Sequence, residues 1–199
     1  MNEREVNIRT KKALRGDLNS AREVIEFLWR FRVVPQARYV AYALVYQYVL
    51  NTWSRAVELC RSCEGKCCRQ GPPLPIYDFD IEELEKSYPN ALRYVEKVGS
   101  SYVLRRPCPL QEGWRCTVHR AKPYACLCYP FMVEEVAIPA IAKQLNESYP
   151  EIETPSDCPA GVEVKKVIDS LRKSLRDRLG REPEPLELLN EVVEKLELR

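Results

Sequence analysis

Apolar residues recur at helical spacing at both ends of the chain and lose that spacing between them. Near the start, Val24, Phe27, Leu28 and Phe31 fall on one helical face until Pro35 stops the run. Ser20-Ala21-Arg22-Glu23 ahead of them reads as a capping box, in which a Ser and a Glu satisfy each other's free backbone donors. A second helix is expected over about 36–59. Its stripe Tyr39, Tyr42, Tyr46, Val49, Trp53 is joined by Val40, Leu44 and Tyr48, so no polar face is left. Such a helix is central in its domain or covered by a partner. The tyrosine row reads as core with hydroxyls reaching the surface, in preference to a stacking or radical-relay surface. Toward the other end, Val164, Val167, Ile168, Leu171, Leu175 and Leu179 form a stripe closed by Gly180, and Leu186, Leu189, Val193 and Leu196 form another. The basic residues Lys165, Lys166, Arg172, Lys173 and Arg176 read as a solvated face.

Between these ends the periodicity fails. Gly71-Pro72-Pro73-Leu74-Pro75 argues against regular structure. Asp80-Ile81-Glu82-Glu83 looks like a helix start, Asn90 can cap another short helix reaching Gly99, and 100–104 is the one short strand expected nearby. The predicted fold is therefore mainly α: N- and C-terminal helices packed around an irregular, Pro-rich, cysteine- or metal-stapled middle. The corresponding segments are 1–59, 60–161 and 162–199.

Composition sharpens this picture at one point. The 199 residues carry a net charge of only +2, which argues against nucleic acid as a partner. The most apolar stretch, Tyr39 to Leu50, is too short for a membrane span and contains Gln47. The charged N-terminus lacks the apolar run of a signal peptide, so a cytoplasmic location is expected. Nine Cys then stand out, eight of them between Cys60 and Cys128. In a reducing compartment clustered thiols point to metal before disulfides, although intracellular disulfides remain open for a hyperthermophile.

The first group is Cys60-x2-Cys63-x3-Cys67-Cys68; the second is Cys108, Cys116, Cys126 and Cys128, with Cys158 beyond. Two residues between thiolates let one turn aim both sulfurs at one ion. Adjacent side chains usually diverge, so Cys67 and Cys68 are not expected to serve as equal ligands of one ion. With a single His in the chain, an all-thiolate set selects zinc or iron–sulfur chemistry. The surrounding Arg61, Lys66, Arg69, Arg105, Arg106, Arg115, Arg120 and Lys122 would offset the negative charge of such a centre, and His119 reads as a structural hydrogen-bonder.

Cys60-x2-Cys63-x3-Cys67-Cys68, Cys108-Pro-Leu, Cys116-Thr-Val-His119-x3-Pro123-x2-Cys126-x2-Tyr129-Pro130-Phe131 and Cys158-Pro159-x-Gly161 together resemble the CxxCxxCC, or YkgJ-type, cysteine-cluster family of zinc- or iron-chelating domains. The resemblance implies eight metal-ligating cysteines: Cys60, Cys63, Cys67, Cys68, Cys108, Cys116, Cys126 and Cys158. Cys128 lies outside that pattern, and Lys122 and Leu127 replace its usual arginines. The expected cofactor is an iron–sulfur cluster or Zn, at one or two sites, serving a redox partner. A structural zinc protein presenting a partner-binding surface is the alternative. A third reading is an enzyme like the flagellin lysine-N-methylases, but no glycine-rich methyl-donor loop is present.

Overall fold

The computed structural model describes residues 1–143 and 149–198. First come helices α1 (Glu3–Ala13), α2 (Leu18–Trp29), α3 (Pro35–Thr52) and α4 (Ser54–Ser62). Next are α5 (Lys66–Arg69), β1 (Leu74–Ile76), α6 (Asp78–Ser87), β2 (Val95–Val98), β3 (Ser101–Leu104), β4 (Gln111–Glu112), β5 (Arg115–Cys116) and α7 (Tyr124–Cys128). Last come α8 (Glu134–Lys143), α9 (Pro159–Leu179) and α10 (Pro185–Lys195). Single 3-10 turns occupy Pro89–Tyr94 and His119–Ala121. The fold is mainly α, as the periodicity predicts. It divides into a helical unit, Met1–Val57 with Cys128–Arg199, and a cysteine unit, Glu58–Leu127.

In the helical unit α3 is the central element. Every residue from Ala41 to Leu50 is buried, and α2, α8, α9 and α10 pack around it. An apolar helix without a polar face is stable only when covered on all sides. Its polar atoms are satisfied internally, so the tyrosine hydroxyls do not reach the surface as expected. Tyr42 donates to the Pro183 carbonyl at 2.9 Å, and Tyr46 donates to Asp169 Oδ1 at 2.6 Å with the Tyr149 hydroxyl also 2.6 Å away. The fully buried Gln47 donates to the Tyr129 carbonyl and accepts from Phe131 N, tying the Tyr-Pro-Phe segment to α3. Buried polar groups pair because leaving one unmade costs about 1–3 kcal/mol.

Several boundaries differ from expectation for identifiable reasons. The N-cap of α2 is Asp17, whose side chain accepts from Ser20 N at 2.7 Å, so Ser20 lies inside the helix. The long helix expected to 59 breaks at Trp53, which is extended (φ −79°, ψ 121°), and α4 starts afresh. On α9 the basic residues are not all solvated: Lys165 pairs with Asp169 at 2.9 Å, and the Arg172 guanidinium lies 3.6 Å over the Tyr149 ring. The buried stripe of α10 is Pro185, Leu188, Leu189 and Val192, while Leu186, Val193 and Leu196 are only half-buried.

The cysteine unit is built differently. Strands β1, β3 and β2 form an antiparallel sheet in that order, with Leu74 opposite Leu104 and Ile76 opposite Tyr102. Thus Leu74-Pro75-Ile76 is regular structure after all. An edge strand tolerates a proline, which removes one donor without breaking an interior ladder. Residues 90–99 form part of a 3-10 turn and β2 instead of a helix. Leu74, Ile76, Leu84, Ala91, Leu104, Leu110, Val118 and Ala121 make a small separate core. Strands β4 and β5 close a second hairpin that sets Gln111 opposite Cys116.

Candidate metal centre

The first cysteine group is laid out by a helix end, a left-handed turn and a second helix start. Cys60 lies in the last turn of α4 and Cys63 just beyond it. Glu64 (φ 54°) and Gly65 (φ 65°) then both adopt the left-handed conformation, and α5 carries Cys67 and Cys68. Two consecutive left-handed residues reverse the chain within one turn; glycine accepts this freely and glutamate at some cost. Added bulk at Gly65 would also meet Gln111 Nε2 at 2.8 Å.

Two hydrogen bonds bring the second group to the first. Cys108 N donates to the Cys68 carbonyl at 2.8 Å. Gln111 Nε2 donates to the Glu64 carbonyl at 3.0 Å and to the Gly113 carbonyl at 2.9 Å, so the hairpin bearing Cys116 is fastened to the left-handed turn. Cys126 sits on α7, whose first amide, Tyr124 N, donates to Asp80 Oδ1 at 3.0 Å. The other oxygen of that fully buried carboxylate accepts from Tyr77 N at 3.1 Å. One aspartate thus caps both α6 and α7. An aromatic cluster of Tyr77, Phe79 and Tyr124 covers this junction.

Electrostatics report how closely the thiols gather. The Cys67 thiol donates to Cys68, which raises the first pKa far above the ordinary thiol value and lowers the second. This overturns the expectation that the two side chains diverge. Successive residues of a helical turn point about 100° apart, not to opposite faces as in a strand, so neighbouring sulfurs can meet. Burial raises Cys60, Cys108 and Cys116 and pushes Cys126 up to about 12. Cys60 feels Cys67 and Cys63, Cys68 feels Cys126 and Cys108, and Cys126 feels Cys116 and Cys108. Seven of the eight expected ligands therefore form one continuous cluster.

Lys122 stands among them. Burial works against its ammonium, but the field of Cys126, Cys67, Cys116 and Cys68 outweighs this and holds its pKa above the usual lysine value. Arg106 also acts on Cys67, Cys108 and Cys126, while its guanidinium donates to the Gln70 carbonyl at 2.6 Å. His119 is exposed and opens a 3-10 turn, its carbonyl accepting from Lys122 N.

The remaining cysteines belong to the helical unit. Cys158 is the N-cap of α9, its sulfur accepting from Gly161 N at 3.4 Å, and Cys128 is buried. None of the nine is in a disulfide. Among the described residues no three His, Cys, Asp or Glu side chains are arranged to hold a metal ion as they stand. The donor chemistry nevertheless fits a soft metal: seven half-buried thiols with cations beside them favour thiolate formation and all-sulfur ligation. Asp80 and Gln111, which hold the cluster together, were missed by sequence reasoning. Asp80 had a signal in its place three residues after Tyr77 at a helix start; Gln111 had none.

Among the described residues no helix is long and apolar enough to cross a membrane. No curated protein and no solved structure matches the chain. A family model described as "Putative zinc- or iron-chelating domain" matches residues 59–158, from just before the first cysteine to the last. The cysteine order, the gathered thiols and this match over half the sequence agree, and the chain belongs to the CxxCxxCC family of metal-chelating domains.

Proposed function

We propose that the cysteine unit binds an iron–sulfur cluster, or a closely related iron site, and serves an electron-transfer or redox step with a partner protein. The observation that carries this reading is the gathering of seven thiols in one small unit with a lysine ammonium among them. Thiolate-bound iron–sulfur centres carry net negative charge, which nearby cations and hydrogen bonds to sulfur offset. Cys60, Cys63 and Cys67 would supply three ligands, with a fourth from Cys108, Cys116, Cys126 or Cys158. When bound, such a cluster supplies one-electron transfer. The chain's own contribution is to hold the sulfurs, keep them half-buried and temper their charge.

A structural zinc site is the second reading, favoured by the brevity of the elements in this unit: three-residue and two-residue strands around a core of eight residues. So small a core depends on a staple. Anaerobic purification followed by metal and acid-labile sulfide analysis separates the two. Brown protein with iron and sulfide in comparable amounts is the expected result. Colourless protein with stoichiometric zinc would overturn the iron reading in favour of the structural one.

A further inference from the structure

The most unusual side chain of the cysteine unit is Lys122. Its backbone is pinned between the buried residues Ala121 and Pro123, and its amide is tied to the His119 carbonyl. Cys116 lies six residues before it and Cys126 four after, so the same short stretch delivers two thiols and one ammonium. The ammonium acts on Cys60, Cys67, Cys68, Cys116 and Cys126, members of both cysteine groups. A protonated lysine has three donors and no acceptor, so it cannot ligate a metal. Placing it half-buried among thiols is unfavourable unless those sulfurs become anionic.

We infer that Lys122 is a positioning residue that sets metal affinity by supplying the fixed counter-charge of the thiolate centre. The inference rests on the metal-binding reading above and is indifferent to whether the ion is iron or zinc. Four thiolates around a divalent ion leave a net charge of −2, formed from neutral thiols when their protons depart to solvent. A positive charge held beside them stabilises the loaded form over the unloaded one. Arg106 acts on part of the cluster only, with its guanidinium already engaged by the Gln70 carbonyl. The rival is a packing role, in which the lysine's four-carbon stem merely covers the sulfurs.

Metal affinity of the full chain, measured by competition with a chromophoric chelator at one fixed pH, tests this. The probe is Zn(II), with Co(II) as its spectroscopic substitute. Lys122→Met keeps the stem and removes the charge; Lys122→Arg keeps the charge. K122M is expected to bind Zn(II) roughly 10–100-fold more weakly and K122R within about threefold of the parent, the range typical for groups that support metal ligands. At saturation all three should show the same intensity of thiolate-to-Co(II) charge transfer, which establishes that the ligand set is intact. Parent-like affinity in K122M with that band unchanged would overturn the inference. So would an equal loss in K122R, which points to packing. Should K122M fail to fold by circular dichroism, Lys122→Gln against K122R carries the same comparison. A folded parent protein with no thiolate–Co(II) band would instead sink the metal reading itself.

Discussion

A Cβ added at Gly161 would collide with Thr154 Oγ1 and stand 2.9 Å from Pro130 Cγ and 3.3 Å from Cys158 Sγ. Here Cys158-Pro159-x-Gly161 meets the Tyr129-Pro130-Phe131 segment, so two motifs distant in sequence need each other's shape. Gly161→Ala is expected to cost about 1–3 kcal/mol by overpacking, read as a lower midpoint of chemical denaturation. Asp17 makes a second residue-scale case. Its carboxylate accepts from Ser20 N, which holds its pKa below 3.8. A lowered folded pKa contributes stability that is present above the unfolded value and lost as pH falls through the folded one. Asp17→Ala should therefore cost about 1 kcal/mol near neutrality, and the gap between variant and parent should narrow below about pH 4. Cys128, buried and outside the family pattern, should be dispensable to the centre. Cys128→Ser is expected to retain full metal content, and a loss as large as that of Cys126→Ser would contradict its exclusion.

Elements were legible in the sequence where a single face or a full apolar cylinder set them. α3 is such a case, because ten consecutive buried residues are hard to place anywhere but at the centre of a helical unit. Its end was not legible, since no Pro or Gly marks the break at Trp53. The strands of the cysteine unit were largely hidden for another reason. β1 contains a proline admitted only because it is an edge, and β4 and β5 are two residues each, too short to show alternation. The α10 stripe was read one phase off because Pro185 itself turns inward. Asp80 joins two elements that the sequence shows only as separate helix starts. Asp80→Asn leaves one of the two capped amides facing a donor group in place of a carboxylate oxygen. It should cost roughly 1–3 kcal/mol and loosen α7 with its Cys126. Faster amide hydrogen exchange at Tyr77 and Tyr124, with α9 unchanged, is the expected signature.

For the whole molecule, the cysteine set was the legible part of the site, because soft-metal ligation needs a particular residue type at a particular spacing. Its supports were not: the amide of Gln111, the carboxylate of Asp80 and the ammonium of Lys122 act through tertiary placement. The two units should also respond differently to metal removal. A structural thiolate site contributes on the order of 10 kcal/mol to the folding of a small domain. A strong chelator is accordingly expected to expose the region from Arg69 to Glu112 to protease while most helical circular dichroism persists. Equal protection with and without chelator would contradict that dependence. Affinity should also follow pH. Cys60, Cys67, Cys108, Cys116 and Cys126 are all raised above the ordinary thiol value, so each must release a proton to become a ligand. Binding should therefore strengthen steeply as pH rises from about 6 to 8, with protons released in proportion.

The central claim is that this chain carries a metal held by thiolates. X-ray absorption at the metal edge of the anaerobically purified, full-length protein tests it most directly. The account predicts a first shell made of sulfur alone, at about 2.3 Å, with a further iron–iron shell if the centre is an iron–sulfur cluster. A first shell of nitrogen or oxygen, or protein that is folded, reduced and free of bound metal, would contradict it.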